Sequence, residues 1–447
     1  MNRDHLRDLG ATVAAALLVA AAVLVGTAIE RDHGTLRVNW PPLLATWQPH
    51  VGPGTPAAIV VAVAVVACGP AVAARLRWRT LLWSAWGAST AWIGSLALVD
   101  GWQRGIAGRL TTRHEYLRVI GRFQDIPATL RDFTHHILLQ SPDNWPAHVA
   151  GHPPAAPITF VLLDRVGLGG GGWAGVWCIT VGASACAAVL VAVRALVGEG
   201  HARRAAPFLV LAPAAVWTGT SADGYFAAVA AWTIAFLALA VTGRRPRRAG
   251  VAAGLLFGLT CYLSYGLTLF AVIGAAVVLL GGPQRLRSLP YVVAGAAVVP
   301  LAFTLAGFDW WEAYRLLVDR YYQGAGGVRP YGYWVWANLA CTVLIVGPAT
   351  VAALRRAGGA FPRSRAQLVD VRGASPDFRL ALLVAAALAA LLVADLSGMS
   401  KAETERIWLP FAQWLLAACA LLPRPRPWLA AQAVLALLVN HLLLTGW

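Results

Sequence analysis

Residues 380–411 read LALLVAAALAALLVADLSGMSKAETERIWLPF. Positions 380–394 carry no charged side chain. A helix of about 20 apolar residues crosses the ~30 Å hydrocarbon core of a bilayer. The next dozen residues then gather Asp395, Lys401, Glu403, Glu405 and Arg406, and Lys401 is the single lysine of the chain. Apolar sequence resumes at Ile407. The pattern is that of two membrane helices joined by a polar box at the membrane edge. Charges at such a position are costly and mark functional sites by default.

The same apolar texture recurs along all 447 residues. The chain is 58% hydrophobic and only 13% charged, where soluble domains carry about 25% charge. Mean hydropathy is +0.63. A soluble helical protein would need polar helix faces that these runs lack. The expected fold is therefore all-α, a polytopic transmembrane helical bundle of about thirteen spans (11–13). The spans are 10–29, 57–74, 80–99, 173–197, 206–220, 223–242, 249–263, 266–281, 289–306, 333–354, 380–396, 408–422 and 427–445, with 249–281 readable as two short spans or as a pair broken around Ser264, Tyr265 and Gly266. Residues 10–29 read as a retained span, not a removed signal peptide. Residues 1–78 form a two-helix N-terminal addition, and 79–447 the main transmembrane domain with outer loops 100–172, 307–332 and 397–407.

A formal net charge of +16 invites a nucleic-acid reading, but basic residues gather in the cytoplasmic loops of membrane proteins. With the N-terminus inside, short loops such as ARLRWR (74–79) and GRRPRR (243–248) fall on the cytoplasmic side and the C-terminus falls outside. Of the 20 acids, only Asp4, Asp8, Glu199, Asp370 and Asp377 fall inside. The outer end is where polar work is expected, in the plasma membrane, with no nucleic acid as partner. The six cysteines lie in apolar runs and imply no redox role.

The outer segments hold the candidate groups. In LALVDGWQRG (96–105), Asp100 leaves a span beside Gly101; a half-shielded carboxylate suits a general base, or simply a solvated helix end. In RHEYL (113–117), Glu115 is a second candidate base, set in a loop whose Tyr116, Leu117, Ile120 and Phe123, then Ile126, Leu130, Phe133 and Ile137, recur at the spacing of amphipathic surface helices. In GHPPAAPITFVLLDR (151–165), His152 stands on a Pro153–Pro154 elbow that opens a short helix. In SADGY (221–225), Asp223 sits in a tight turn and either caps the next helix or joins the site. Arg320 and Arg329, candidates for a substrate phosphate, lie within the aromatic loop that contains Trp310, Trp311, Tyr321, Tyr322 and Tyr331, which reads as an interfacial belt or a sugar-stacking platform. Ser400 to Glu403 matches a capping box. Lys401, Glu405 and Arg406 remain for substrate, and Arg406 offers a planar fork suited to phosphate.

In order, an outer acid after a span, a long loop with surface helices, a GHPP elbow, an Asp turn and SGMSKAETERIWLPF resemble the GT-C superfamily of membrane glycosyltransferases. The similarity covers about residues 80–445. It extends to actinobacterial membrane proteins related to mycobacterial arabinosyl- and mannosyltransferases and to lipid A aminoarabinose transferases. The resemblance implies an enzyme that moves an arabinose- or mannose-type sugar from a polyprenyl-phosphate donor to a cell-envelope glycan or lipid acceptor on the outer leaflet. It also implies Asp100 as the catalytic base, with Glu115 left open for that role because Asp100 follows the third span and is followed by Gly101. No cluster requires a metal, and a divalent cation is left open. A transporter or flippase for a lipid-linked or anionic substrate, and a non-catalytic envelope assembly protein, are the rival readings.

Overall fold

The computed structural model describes residues 3–283, 285–361 and 373–446. The chain is a bundle of α-helices, as dictated by a solvent that leaves no partner for an unpaired backbone N–H or C=O. Seven helices are long and apolar enough to cross a membrane: Arg3–His33, Thr55–Arg75, Gly170–Leu196, Ala222–Val241, Arg285–Leu305, Tyr331–Gly359 and Pro376–Leu396. Trp78–Ala97, Pro246–Leu263 and Pro425–Leu442 are of similar length. Tyr265–Leu280 and Leu409–Leu421 are shorter apolar helices.

Two of the expected spans differ from the continuous helices that hydropathy suggests. The 206–220 run is interrupted: helix Glu199–Val210 ends, Pro213 follows, and only the single turn Ala215–Thr218 is helical. The 427–445 run stops at Leu442, and Leu443–Thr445 forms a strand that pairs antiparallel with Ala45–Trp47. Elsewhere, Ser264 is extended (φ −153°, ψ 134°) and divides the 249–281 region into two helices. Helix Tyr331–Gly359 bends at Gly347 (φ 76°), next to Pro348. Asp370, one of the acids expected inside, lies with residues 362–372 outside the described residues.

Close helix contacts come from small residues. Helix 246–263 lies against helix 289–305 with Gly254 and Gly295 at the crossing, and a Cβ on either would collide with the opposite backbone. This is the packing expected where lipid removes the hydrophobic drive between helices. The N-terminal helix Arg3–His33 runs along Tyr331–Gly359. Tyr333 donates to the Ala22 carbonyl (2.8 Å), and fully buried Asp8 accepts from Arg355 and Arg356 at 2.7 and 2.6 Å. Helix Thr55–Arg75 packs on helices 78–97, 199–210 and 425–442.

Side-chain pairing divides the bundle into two polar ends. One joins 36–50, 98–116, 147–152, 220–223, 324–329, 398–406 and 443–446 through direct contacts. The opposite end holds Asp8, Arg203, Arg204 and Arg355, with carbonyls of Ala73, Leu76 and Ala420. Short helices of the 100–172 loop, Tyr116–Phe123 and Ile126–Asp132, cover the first end. Their Tyr116, Phe123 and Leu130, with the adjoining Phe133, are buried on protein, against Phe160, Trp145 and Phe308.

Candidate functional site

The first polar end is organised by a buried arginine. Thr404–Ile407 forms a single helical turn, preceded by Ala402 (φ 70°) and Glu403 (φ 63°), both left-handed without being glycine. Such backbone is strained and persists where its surroundings over-determine it. Here it carries Glu403 between two arginines: Oε1 lies 3.3 Å from Arg329 Nη1, and Oε2 lies 3.5 Å from Arg406 Nη2. The capping reading of Ser400–Glu403 is therefore corrected. Glu403 makes no side-chain cap, because both carboxylate oxygens are turned to guanidinium groups. Burial would raise its pKa, but Arg406 and Arg329 together hold it below the ordinary glutamate value.

Arg406 donates to Asp223 Oδ2 at 2.5 Å. Asp223 stands in the first turn of helix Ala222–Val241, where a carboxylate meets the positive end of the helix dipole. The N-cap is Ser221, whose hydroxyl accepts from the Asp223 N–H (3.2 Å) and donates to Oδ2 (3.2 Å). Arg406 and Asp223 are both buried, at 5% and 4% exposure. Burial opposes charge on Arg406, yet Asp223 and Glu403 outweigh it and raise its pKa.

Glu115 lies beside this pair. Its Oε1 is 2.9 Å from His148 Nδ1. His148 Nε2 faces Arg406 Nη2 at 3.4 Å, so the imidazole stands between the guanidinium and the Glu115 carboxylate. The other oxygen, Glu115 Oε2, is buried and has no hydrogen-bond partner among the described residues. A narrow pocket, with a cavity volume of about 10 Å³ and about 280 Å³ of empty space once its open mouth is counted, is lined by Arg109, Glu115, Tyr116, Ser221, Arg406 and Gly446 among others.

Asp100 lies one step behind the pocket. Oδ1 is 2.9 Å from His50 Nε2; Oδ2 accepts from Arg109 Nη2 (2.8 Å) and Arg104 Nε (3.3 Å). Arg109 also donates to the Thr445 carbonyl at 3.2 Å, so the C-terminal strand helps to fix it. Burial lowers the Arg109 pKa while Asp100 opposes that fall. Arg109 thus connects Asp100 to the pocket that Glu115 faces.

His152 is tied to the same network through Tyr116. Its Nδ1 is 2.7 Å from the His148 carbonyl, which only accepts, so the proton is on Nδ1; the Tyr116 hydroxyl is 3.1 Å from the same nitrogen. The ring packs on Tyr116 and Phe226. His152 is half-buried in this network. Burial lowers its pKa to about 4 and keeps it neutral.

The structure therefore brings Asp100, Glu115, His152, Asp223 and Arg406 into one connected group. Of these, Glu115 and Arg406 line the pocket and the other three stand behind it, while the remaining four candidates are engaged elsewhere. Lys401 Nζ donates to the Gly326 carbonyl (2.9 Å). Arg329 donates to the Leu36 and Lys401 carbonyls at 3.0 and 2.8 Å. Glu405 accepts from the Leu44 N–H at 3.1 Å and lies 3.4 Å from Cys341 Sγ. Arg320 reaches the Trp145 carbonyl (3.2 Å) and Asn144. Of the polar box, Arg406 alone reaches the pocket; the turn at 402–403 sends Lys401 and Glu405 to backbone and core partners. Sequence reasoning passed over Arg109, His148 and Tyr116. The signal for His148 was the H-x-x-x-H spacing of HVAGH, which sets two imidazoles on one helical face.

Among the described residues no group of three or more His, Cys, Asp or Glu side chains is placed to hold a metal ion. The acids nearest the pocket are paired with arginine or histidine.

No protein-family model matches the sequence, and no curated protein matches it. Among solved structures the chain is similar to an oligosaccharyltransferase of Archaeoglobus fulgidus, crystallised with Zn and sulfate, at a TM-score of 0.47 and 15% identity. The match covers 79% of this chain and 51% of that one, so the chain spans about half the length of that protein. The two share an overall resemblance of helices too weak to assign a fold family.

Proposed function

We propose that the chain is an integral-membrane glycosyltransferase of GT-C type that uses a polyprenyl-phosphate sugar. The observation that carries this reading is the Glu115 pocket: a buried carboxylate with one oxygen 2.9 Å from His148 and the other without a hydrogen-bond partner among the described residues, in a pocket that the guanidinium groups of Arg109 and Arg406 also line. A base flanked by two fixed cations suits displacement of a phosphate. The order of motifs in the sequence supports the same class.

In the proposed reaction, Glu115 Oε2 takes the proton of an acceptor hydroxyl as that oxygen attacks the anomeric carbon. The bond from that carbon to the phosphate oxygen breaks, and its electron pair leaves with the polyprenyl phosphate, inverting the configuration. Arg109 and Arg406 stabilise the charge that develops there, the kind of preorganised contribution that dominates many active sites. His148 fixes the Glu115 carboxylate. Asp100, with both oxygens engaged, positions Arg109 instead of acting as the base. The sugar is of arabinose or mannose type, and the acceptor is a cell-envelope glycan or lipid. The charge asymmetry of the loops supports an outer-leaflet site in the plasma membrane.

The test is incubation of purified protein with a panel of labelled polyprenyl-phosphate sugars and an envelope extract. Labelled product from at least one donor is expected, with inverted anomeric configuration. Absence of product from every donor, together with donor-dependent lipid translocation in vesicles, would replace the enzyme with a flippase.

A further inference from the structure

A second cavity opens at the other end of the bundle, away from Glu115. It has about 410 Å³ of empty volume, counting its open side, and is lined by Pro70, Ala74, Arg203, Arg204, Pro207, Phe208, Cys419, Leu422 and Pro425. Four helices meet there: 55–75, 199–210, 409–421 and 425–442. The walls are apolar except for two arginines, and these differ in how they are held. Arg203 is saturated: it donates to Glu199 at 2.6 and 2.9 Å and to the carbonyls of Ala73 and Leu76 at 2.6 and 2.9 Å. It is part of the wall. Arg204 spends only Nε, on the Ala420 carbonyl at 2.8 Å. Its terminal nitrogens have no partner among the described residues, and the side chain is exposed.

The surrounding charge has one sign. Arg75 follows lining residue Ala74, and Arg424 and Arg426 bracket lining residue Pro425; all three are exposed. Glu199, the acid bound to lining residue Arg203, is already engaged by Arg194 and Arg203. An apolar cavity between membrane helices, rimmed by uncompensated guanidinium groups, matches a molecule with a hydrocarbon chain and an anionic head at interface depth. Basic pockets of this kind between helices suit acidic lipid head groups, and a planar fork is the donor geometry that phosphate accepts. A soluble anion would leave the apolar walls unused, and a neutral lipid would leave the arginines unanswered.

We propose that this cavity binds an anionic phospholipid, with its phosphate on Arg204 and the adjoining arginines and an acyl chain against Pro70, Pro207, Phe208 and Leu422. The site is distinct from the Glu115 pocket and does not depend on the activity proposed for it.

The test uses the full chain in a neutral detergent. Phosphatidylglycerol is titrated against phosphatidylcholine, read by native mass spectrometry and by Tm. Phosphatidylglycerol is expected to be retained and to raise Tm, with phosphatidylcholine and soluble glycerol phosphate having little effect. Arg204→Gln is expected to weaken phosphatidylglycerol retention about fivefold, the share of one basic residue at an anionic surface. Arg248→Gln removes the same charge from the same end outside the cavity and is expected to leave retention within about twofold of the parent. Ala74→Phe keeps every arginine and fills the cavity, and is expected to abolish the preference. Equal retention of the two lipids, an equal response to glycerol phosphate, or an Ala74→Phe variant that binds as the parent does would overturn the proposal.

Discussion

Asp223 and Arg406 form a buried ion pair whose loss can be separated from loss of chemistry. Asp223→Asn leaves the Arg406 guanidinium at 5% exposure without its 2.5 Å carboxylate. Removing one member of a buried pair costs about 3–5 kcal/mol. Glu403 remains 3.5 Å from Arg406, so the lower figure applies, about 3 kcal/mol. With an unfolding entropy of about 2.1 cal/mol/K per residue, that corresponds to a Tm drop of roughly 3 °C for a chain of this size. The double variant Asp223→Leu/Arg406→Met removes both charges and replaces them with apolar volume. Such replacements are often neutral or stabilising, so the double variant is expected to recover Tm to within about 1 °C of the parent while transferring no sugar. The assay is thermal unfolding of detergent-purified parent, Asp223→Leu, Arg406→Met and the double variant, with Asp223→Asn alongside and transfer measured on the same samples. An unchanged Tm in Asp223→Asn, or a double variant whose loss equals the sum of the two singles, would refute the buried-pair reasoning.

Other consequences follow from the same geometry. Asp100→Asn should loosen Arg109 and lower kcat about tenfold, leaving measurable transfer and restored by Asp100→Glu in part; a complete loss would assign the proton transfer to Asp100. His152, with a pKa lowered to about 4 by burial, stays neutral in the folded protein while an unfolded histidine protonates near pH 6.5. Its contribution to stability is therefore present above about pH 6.5 and is lost as pH falls toward 4; subtracting the Tm–pH curve of His152→Gln from that of the parent should reveal this fall in that window. Gly254→Leu drives a side chain into the backbone of helix 289–305, where its Cβ would come within 2.0 Å of Val292 O and 2.9 Å of Gly295 Cα, and should prevent recovery of folded protein, whereas Gly87→Leu, with open space around it, should not.

Most of the bundle was legible because the lipid solvent imposes one pattern. Apolar runs longer than about 17 residues have no alternative to a helix. The misreadings lie where a local backbone feature overrides hydropathy. Pro213 breaks a run that is apolar throughout, and Leu443–Thr445 leaves its helix because the 45–47 segment offers a strand partner. Within the site, Glu115, Asp223 and Arg406 were legible as charges that an apolar chain has no reason to keep. Their connection was not, since 183 positions separate Arg406 from Asp223 and 33 separate His148 from Glu115. Glu403 was misassigned because the S-x-x-E spacing fits a helix start, and the left-handed backbone at 402–403 cannot be read from Ala-Glu. Arg109 was overlooked as one arginine among many, and only its position between Asp100 and the pocket distinguishes it.

The central claim is that Glu115 is the base, and one comparison addresses it most directly: single-turnover sugar transfer by Glu115→Gln and Asp100→Asn, measured in parallel with the parent at saturating donor. Glu115→Gln should fall by about 10²–10⁴-fold, the range for a lost general base, with donor binding kept, while Asp100→Asn falls by about tenfold. Transfer by Glu115→Gln at the parental rate, with Asp100→Asn inactive, would contradict the account.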